Sequence, residues 1–295
     1  MYTAVLQQHC AQFEEALPRY MPATGGLQTT GAEAMAYACA GGGKRIRPVL
    51  VMECCRLCGG DPTAAIPFAA AMEMIHSYSL VHDDLPCMDN SLLRRGKPST
   101  HAVYGETMAL LAGDGLLNLA FETALRAENR ADLTSTDVLA AVSTLADAAG
   151  IDGMVGGQVI DLESEGKTID LQVLEALQRG KTAALLTAAC VMGAQLAGAS
   201  KEQQQAVRVF GENIGLSFQI VDDILDVTAT AEQLGKPVGS DAENEKVTYV
   251  SLLGLDAARD LARQRTHTAV AALDIFGEQA ESLRRLAQAL LTRDH

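Results

Sequence analysis

Tryptophan is absent and aromatic residues make up only 4% of the 295-residue chain, so its 48% hydrophobic content is carried largely by aliphatic and small side chains. Basic residues are in deficit: 23 Lys and Arg stand against 37 Asp and Glu, a formal net charge of −14. Binding a phosphate backbone needs a basic face, so this balance excludes nucleic acid as a partner. Small anionic substrates would have to be met by local basic clusters or bridging cations. No proline falls between Pro98 and Pro237, a stretch rich in Ala, Leu, Glu, Gln and Met. Strand signals are as scarce, with no alternating Val/Ile/Thr run bracketed by Asn-Gly or Asp-Gly turns. Together these absences predict an all-α protein. Linkers, tandem repeats and low-complexity tails are missing too, so residues 1–295 read as a single domain.

Cysteine is present but unpatterned. Cys10, Cys39, Cys54, Cys55, Cys58, Cys87 and Cys190 are odd in number and irregularly spaced, which fits reduced thiols in the cytoplasm. Cys55 and Cys58 make a CxxC, but a zinc site needs a second ligand pair, and VLVMECCRLC at 49–58 reads as an apolar helix. The opening MYTAVLQQHCAQFEEALP has no basic start followed by an apolar core, so no secretory signal is expected. Thr182 to Ala199 holds only Gln195 as a strongly polar side chain, yet it is built mostly of Ala, Gly and Thr; it reads as a small-residue helix at the centre of a bundle, with no stable membrane insertion.

Helices are predicted over about 3–17, 31–40, 46–58, 62–84, 105–128, 134–149, 170–198, 201–228, 248–275 and 278–292. The remaining signals fall in loops at 41–45, 86–98 and 228–246.

Two aspartate clusters stand out. On a helix, Gln219, Asp222, Asp223 and Asp226 of FQIVDDILDV fall at i, i+3, i+4 and i+7, so three carboxylates share one narrow stripe without a neighbouring Lys or Arg. The second cluster ends helix 62–84 in EMIHSYSLVHDDLPCMD. There His76, Ser79 and Asp83 share a face, and Pro86 breaks the helix so that Asp89 can fold back towards Asp83 and Asp84. A lone DDxxD fits a helix cap or a solvated turn equally well. Two such clusters, both interrupting apolar helices, point instead to Mg²⁺, which takes one or two carboxylates together with substrate phosphates.

The basic candidates are few. GGGKRIRP at 41–48 sets Lys44, Arg45 and Arg47 at a helix N-terminus, where free N–H groups and guanidinium forks suit an anion. Arg94 and Arg95 follow the first aspartate cluster, Lys181 and Thr182 open the small-residue helix, and Lys236 and Lys246 lie in the loop after the second cluster. Each alone is ordinary surface charge; the ensemble carries the reading.

These segments, with LAGDGLL at 111–117, GGQVIDL at 156–162 and GKPVGSDAENEKVTYV at 235–250, resemble in kind and order the motifs of the trans-isoprenyl diphosphate synthases, most closely the bacterial farnesyl and geranylgeranyl types. The resemblance spans nearly the whole chain. It implies one large all-α bundle, the isoprenoid synthase fold, around a deep central cavity, in a homodimer. It implies a head-to-tail prenyltransferase that joins isopentenyl diphosphate to dimethylallyl or geranyl diphosphate. Asp83, Asp84, Asp89, Asp222, Asp223 and Asp226 would hold Mg²⁺, three ions per active site with substrate bound, against the allylic diphosphate. Arg94, Lys181 and Lys236 would contact that diphosphate, with Lys246 a weaker candidate near the metals. Lys44, Arg47, His76 and Arg95 would hold isopentenyl diphosphate, and Thr182 and Gln219 would face the developing allylic cation. Tyr78 and Ser79, five and four residues before Asp83, would form the floor under the growing chain, roughly 6 to 7.5 Å along the helix. An aromatic Tyr78, a small Ser79 and the inserted Pro86-Cys87 are similar to the farnesyl-forming type. Two departures touch metal affinity and rate: Asn90, Ser91 and Leu92 stand where relatives often carry further acids, and Gln178 where a His is common.

Other readings weigh less. A class I terpene cyclase carries an Asn/Ser/Glu second motif and no second diphosphate site, against DDILD and the Lys44/Arg47/His76 set. A geranylgeranyl-forming enzyme is the alternative within the family. A non-catalytic subunit of a heteromeric prenyl synthase characteristically loses aspartates that this chain keeps. A metal-storing bundle would show Glu and His at i, i+3 on several helices, and no such set is found.

Overall fold

Polar caps start several of the helices. In a computed structural model describing residues 2–40, 42–127, 133–229 and 246–293, Thr3 accepts the Leu6 N–H at the start of α1 (Ala4–Ala16). Thr134 does the same for α7 (Ser135–Ala149) and Asp170 for α9 (Leu171–Gln178), while Ser200 and Gln203 form a reciprocal capping box on α11 (Lys201–Thr228). The other helices are α2 (Thr29–Cys39), α3 (Ile46–Leu57), α4 (Ile66–Asp83), α5 (Thr100–Tyr104), α6 (Glu106–Arg126), α8 (Met154–Ser164), α10 (Ala184–Leu196), α12 (Tyr249–Leu253), α13 (Leu255–Ala272) and α14 (Glu281–Leu291).

The bundle is organised around α10, which packs on α3, α7 and α11; α4 lies along α6, and α11 along α13. Leu185, Leu186, Val191, Met192 and Leu196 are all buried, so the small-residue segment is a core helix, as its composition predicts. The CxxC helix α3 is buried over nearly its whole length, from Ile46 to Leu57. All seven thiols are free. By length and composition α6 and the stretch Ser135–Ser164 would also suffice to cross a membrane; in α6, however, Ala109, Ala112, Leu116, Ala120 and Ala124 pack inside the protein. A smaller cluster of Leu174, Ile220, Val221, Leu225, Tyr249, Ala258 and Ala262 ties α9, α12 and α13 to the far half of α11.

Four local differences from the sequence expectation have physical causes. α4 begins at Ile66, with Pro67 in its first turn, and not at 62. The stretch 248–275 divides at Gly254, whose φ of +82° no continuous helix accepts. The run 170–198 is continuous but widens into a π turn over Arg179–Ala183. A small hairpin, β1 (Leu93–Arg94) with β2 (Lys97–Pro98), interrupts the all-helical pattern; Arg95 and Gly96 between them both have positive φ, as a tight hairpin turn requires. Two whole helices, α5 and α8, are missing from the expectation.

Candidate active site

The end of α4 ahead of Pro86 does what the first aspartate cluster requires. Beyond α4 the Asp89 N–H donates to the Asp83 carbonyl at 2.9 Å and the Ser91 N–H to the Asp84 carbonyl at 3.1 Å. The loop therefore satisfies carbonyls that the helix end would leave open and turns Asp89 back towards α4. The hairpin then returns Arg94 to Asp84, whose buried carboxylate accepts from Arg94 Nε and Nη2.

Above α4, a cavity of about 830 Å³ opens between α4, α8, the π turn and α11. It gathers ten of the residues expected from sequence: Lys44, Arg47, His76, Tyr78, Ser79, Asp83, Arg95, Lys181, Thr182 and Gln219. Apolar walls come from Met154, Val155, Val159 and Leu162 of α8, Leu185 of α10 and Phe218 of α11. Asp84, Asp89, Arg94, Asp222, Asp223 and Asp226 do not line it. Lys246 lines a smaller neighbouring pocket of about 120 Å³ together with Asp161, Lys181, Gln219 and Asp223. Lys236 lies outside the described residues.

The six carboxylates expected to hold metal are not equivalent. Asp83 is half-buried on the cavity wall, and burial, with Asp89 and Asp84 nearby, pushes its carboxyl above the usual range despite Lys181 and Arg94. Asp223 is buried with both oxygens engaged: Oδ1 accepts from Gln219 Nε2 at 3.0 Å and Oδ2 from the Tyr249 N–H at 2.8 Å. Asp226 is buried as well. Asp222 is more exposed and accepts from Arg293 Nη2 at 2.6 Å. Among the described residues no three acids converge to form a ready-made metal cage. Such an arrangement fits a hard cation completed by oxygens from a substrate better than one held by protein alone.

The cationic end has the opposite imbalance. His76 Nε2 faces Arg47 Nη1 at 3.4 Å and Arg95 Nη2 at 3.3 Å, so it serves as an acceptor for both. Burial first, then Arg47 and Arg95, holds this imidazole well below its ordinary value. Burial, reinforced by Arg95 and opposed by Glu73, lowers the Arg47 guanidinium to about 10, and its Nε is buried without a partner. Two guanidiniums thus crowd one neutral imidazole at this end of the cavity in the way an anion would relieve. Arg45 does not join them. It is buried in pairs with Glu14 and Glu73 and donates to the Cys39 carbonyl at 2.8 Å, anchoring the loop that carries Lys44 and Arg47.

Between the two ends, Thr182 Oγ1 lies 3.3 Å from Gln219 Oε1 and 3.4 Å from Gln178 Oε1, so the departure at Gln178 still reaches Thr182. The chain Thr182, Gln219, Asp223, Tyr249 N–H fixes the two polar groups that meet the cavity.

Two participants escaped the sequence reading. Asp161 of α8 forms an ion pair with Lys181; its signal was the acid within GGQVIDL. Arg293, beyond α14, reaches Asp222 and the Phe218 carbonyl and stacks 3.8 Å from the Phe218 ring centroid. A single basic residue near a chain end gives no pattern to read.

Comparison with known proteins agrees with this geometry. A family model described as polyprenyl synthetase matches residues 28–289. The chain is 44% identical over 282 residues to a farnesyl diphosphate synthase of Geobacillus stearothermophilus, covering 96% of this chain and 94% of that one. It is 48% identical to the large subunit 1 of the heterodimeric geranylgeranyl pyrophosphate synthase of Arabidopsis thaliana, covering 79% of this chain and only 63% of that protein. Among solved structures, a geranyltransferase from Helicobacter pylori complexed with magnesium and isoprenyl diphosphate superposes with a TM-score of 0.84 at 33% identity, covering 99% and 97% of the two chains. The helical bundle, the paired aspartate clusters on α4 and α11 and these similarities make the chain a member of the polyprenyl synthetase family, with the isoprenoid synthase fold.

Proposed function

We propose that this protein is a Mg²⁺-dependent prenyltransferase that condenses isopentenyl diphosphate with dimethylallyl and geranyl diphosphate and stops at farnesyl diphosphate. The observation that carries the reading is the charge layout of one cavity: the Arg47 and Arg95 guanidiniums against the His76 imidazole at one end, and the Asp83 carboxyl raised by burial at the other, with an apolar wall alongside. An anion relieves the first end and a cation the second, and a diphosphate ester with Mg²⁺ supplies both.

In this reading Asp83, Asp84, Asp89, Asp222, Asp223 and Asp226 would hold Mg²⁺. Asp84, paired to Arg94, Asp222, paired to Arg293, and Asp223, engaged on both oxygens, also hold neighbouring groups in place. Three bound Mg²⁺ would neutralise charge on the departing diphosphate. Lys181 and Arg94 add positive charge beside it, and Lys44, Arg47, His76 and Arg95 hold isopentenyl diphosphate. Thr182 Oγ1 and Gln219 Oε1 direct oxygen lone pairs at the allylic carbon as positive charge develops. Val159, Leu162, Leu185 and Phe218 keep water from that carbon until the isopentenyl double bond attacks, and the released diphosphate takes the proton. Tyr78, only 6% exposed and on the cavity wall, is the floor, with Ser79 beside it.

Exposed Leu110 and Leu111 on α6 and Leu139 on α7 support a homodimer through that side, and seven free thiols support a cytoplasmic setting. Similarity to geranylgeranyl-forming relatives favours a twenty-carbon product as the second reading. The deciding experiment incubates purified protein with isopentenyl diphosphate and five-, ten- or fifteen-carbon allylic primers, with and without Mg²⁺. A Mg²⁺-dependent product ending at fifteen carbons, lengthened by Tyr78→Ala, is expected. A twenty-carbon wild-type product removes the floor assignment, and no condensation with any primer removes the catalytic reading in favour of a subunit needing a partner.

A further inference from the structure

His82 precedes the first aspartate cluster and has no role in the scheme above, yet it sits in a place made for it. It follows Tyr78 by four residues, so the two rings share one face of α4 and both line the cavity. Their centroids are 5.7 Å apart with the planes at 77°, an edge-to-face contact. The imidazole is clamped from the far side by α6. Its Nε2 lies 3.1 Å from the Leu110 carbonyl, to which it donates. A side chain at Gly113 would put a Cβ 2.0 Å from Nε2 and 2.3 Å from Cδ2. The ring therefore occupies a slot that exists only because residue 113 is glycine. Its position is fixed on three sides, by Tyr78, by Gly113 and by the Leu110 carbonyl.

Resting on the prenyltransferase reading, we infer that His82, seated against Gly113, is a positioning residue for product length: it backs the Tyr78 ring across the path of the growing chain and fills the slot beside it. Because His82 lines the cavity, removing its ring joins the slot to the space where the chain elongates and leaves Tyr78 without its support. A methyl at position 113 does the reverse, evicting the imidazole towards Tyr78. The two residues therefore couple, and their substitutions will not add.

The test is the product distribution of purified wild type, His82→Ala, Gly113→Ala and the double variant, with dimethylallyl diphosphate as primer. For His82→Ala, a main product at least one five-carbon unit longer than wild type is expected on whatever turnover remains. Gly113→Ala is expected to lower turnover and shorten the product. In the double variant, the methyl added at position 113 enters the emptied slot and brings length back towards wild type. Should His82→Ala fail to fold, His82→Asn keeps a donor for the Leu110 carbonyl without the ring, and the same lengthening is expected. An active His82 variant with unchanged product length overturns the inference while leaving the prenyltransferase reading intact. A wild-type protein that forms no prenyl product at all overturns the underlying reading, and the inference falls with it.

Discussion

Neighbouring residues of one motif meet different surroundings here. Asp222 and Asp223 are adjacent in sequence, yet one accepts from Arg293 at the site's edge and the other is buried under Gln219 and the Tyr249 N–H. Helical geometry makes the division, since a step of one residue turns a side chain about 100° from its neighbour. His76 is a second case, with a titration that can be followed. Its imidazole is held well below the ordinary 6.5 by burial and by Arg47 and Arg95, so below that value the unfolded chain takes up a proton that the folded protein refuses. Stability is therefore full above the ordinary value and is lost as pH falls from there towards the depressed one. Urea unfolding between about pH 8 and pH 5.5 should show a loss approaching about 1.4 kcal/mol per pH unit inside that window. His76→Gln should remove this part of the slope. Inorganic diphosphate, by placing an anion against Arg47, Arg95 and the imidazole, should shrink the slope in the wild type. An identical slope in the two proteins would mean that His76 titrates normally.

At the level of elements, α4 and α11 were legible because their apolar periodicity is strong and their ends carry explicit signals: Pro86 after one, a Ser200–Gln203 box before the other. α8 was not. Gly153, Gly156 and Gly157 weaken its helical signal, but Gly157 is there for contact, since a Cβ would lie 2.0 Å from the Lys181 N. The helix is specified by its partner, the π turn, and no local propensity announces it. With α8 went Asp161 and much of the apolar wall, which is why the charged ends of the site could be read in advance and its side could not. The hairpin at 93–98 was missed for a related reason, since Arg95 holds a φ of +52° that sequence preference would assign to Gly or Asn. Gly157→Ala should force α8 away from the π turn. A stability loss of about 1–3 kcal/mol is expected, along with a fall in turnover larger than that of Ala substitution at exposed Val155. Denaturant midpoints and steady-state rates measure both, and unchanged turnover would separate α8 from the chemistry.

For the whole molecule, the acidic excess and the Arg47/Arg95 end of the cavity link metal binding to anion binding. The formal charge of −14 favours counter-cations in general, but no three described acids converge into a cage. Mg²⁺ alone should therefore raise the melting temperature little, inorganic diphosphate alone modestly, and the two together by more than their sum. At about one hundred times the dissociation constant, a single bound ligand contributes about 2.7 kcal/mol of stability. Simple addition of the two shifts in a thermal melt would show that metal and anion bind independently.

The wall residue Phe218 offers a way to watch the cavity fill. It faces the cavity on one side and carries the Arg293 guanidinium 3.8 Å from its ring on another. Because the chain contains no tryptophan, an indole placed there by Phe218→Trp would be the sole emitter at long excitation wavelengths. Its spectrum would record hydration of the apolar wall, and its quenching the stacking of Arg293. Filling of the prenyl pocket and movement of the last helix's extension could then be timed separately, within a single turnover, without a label or a coupled assay.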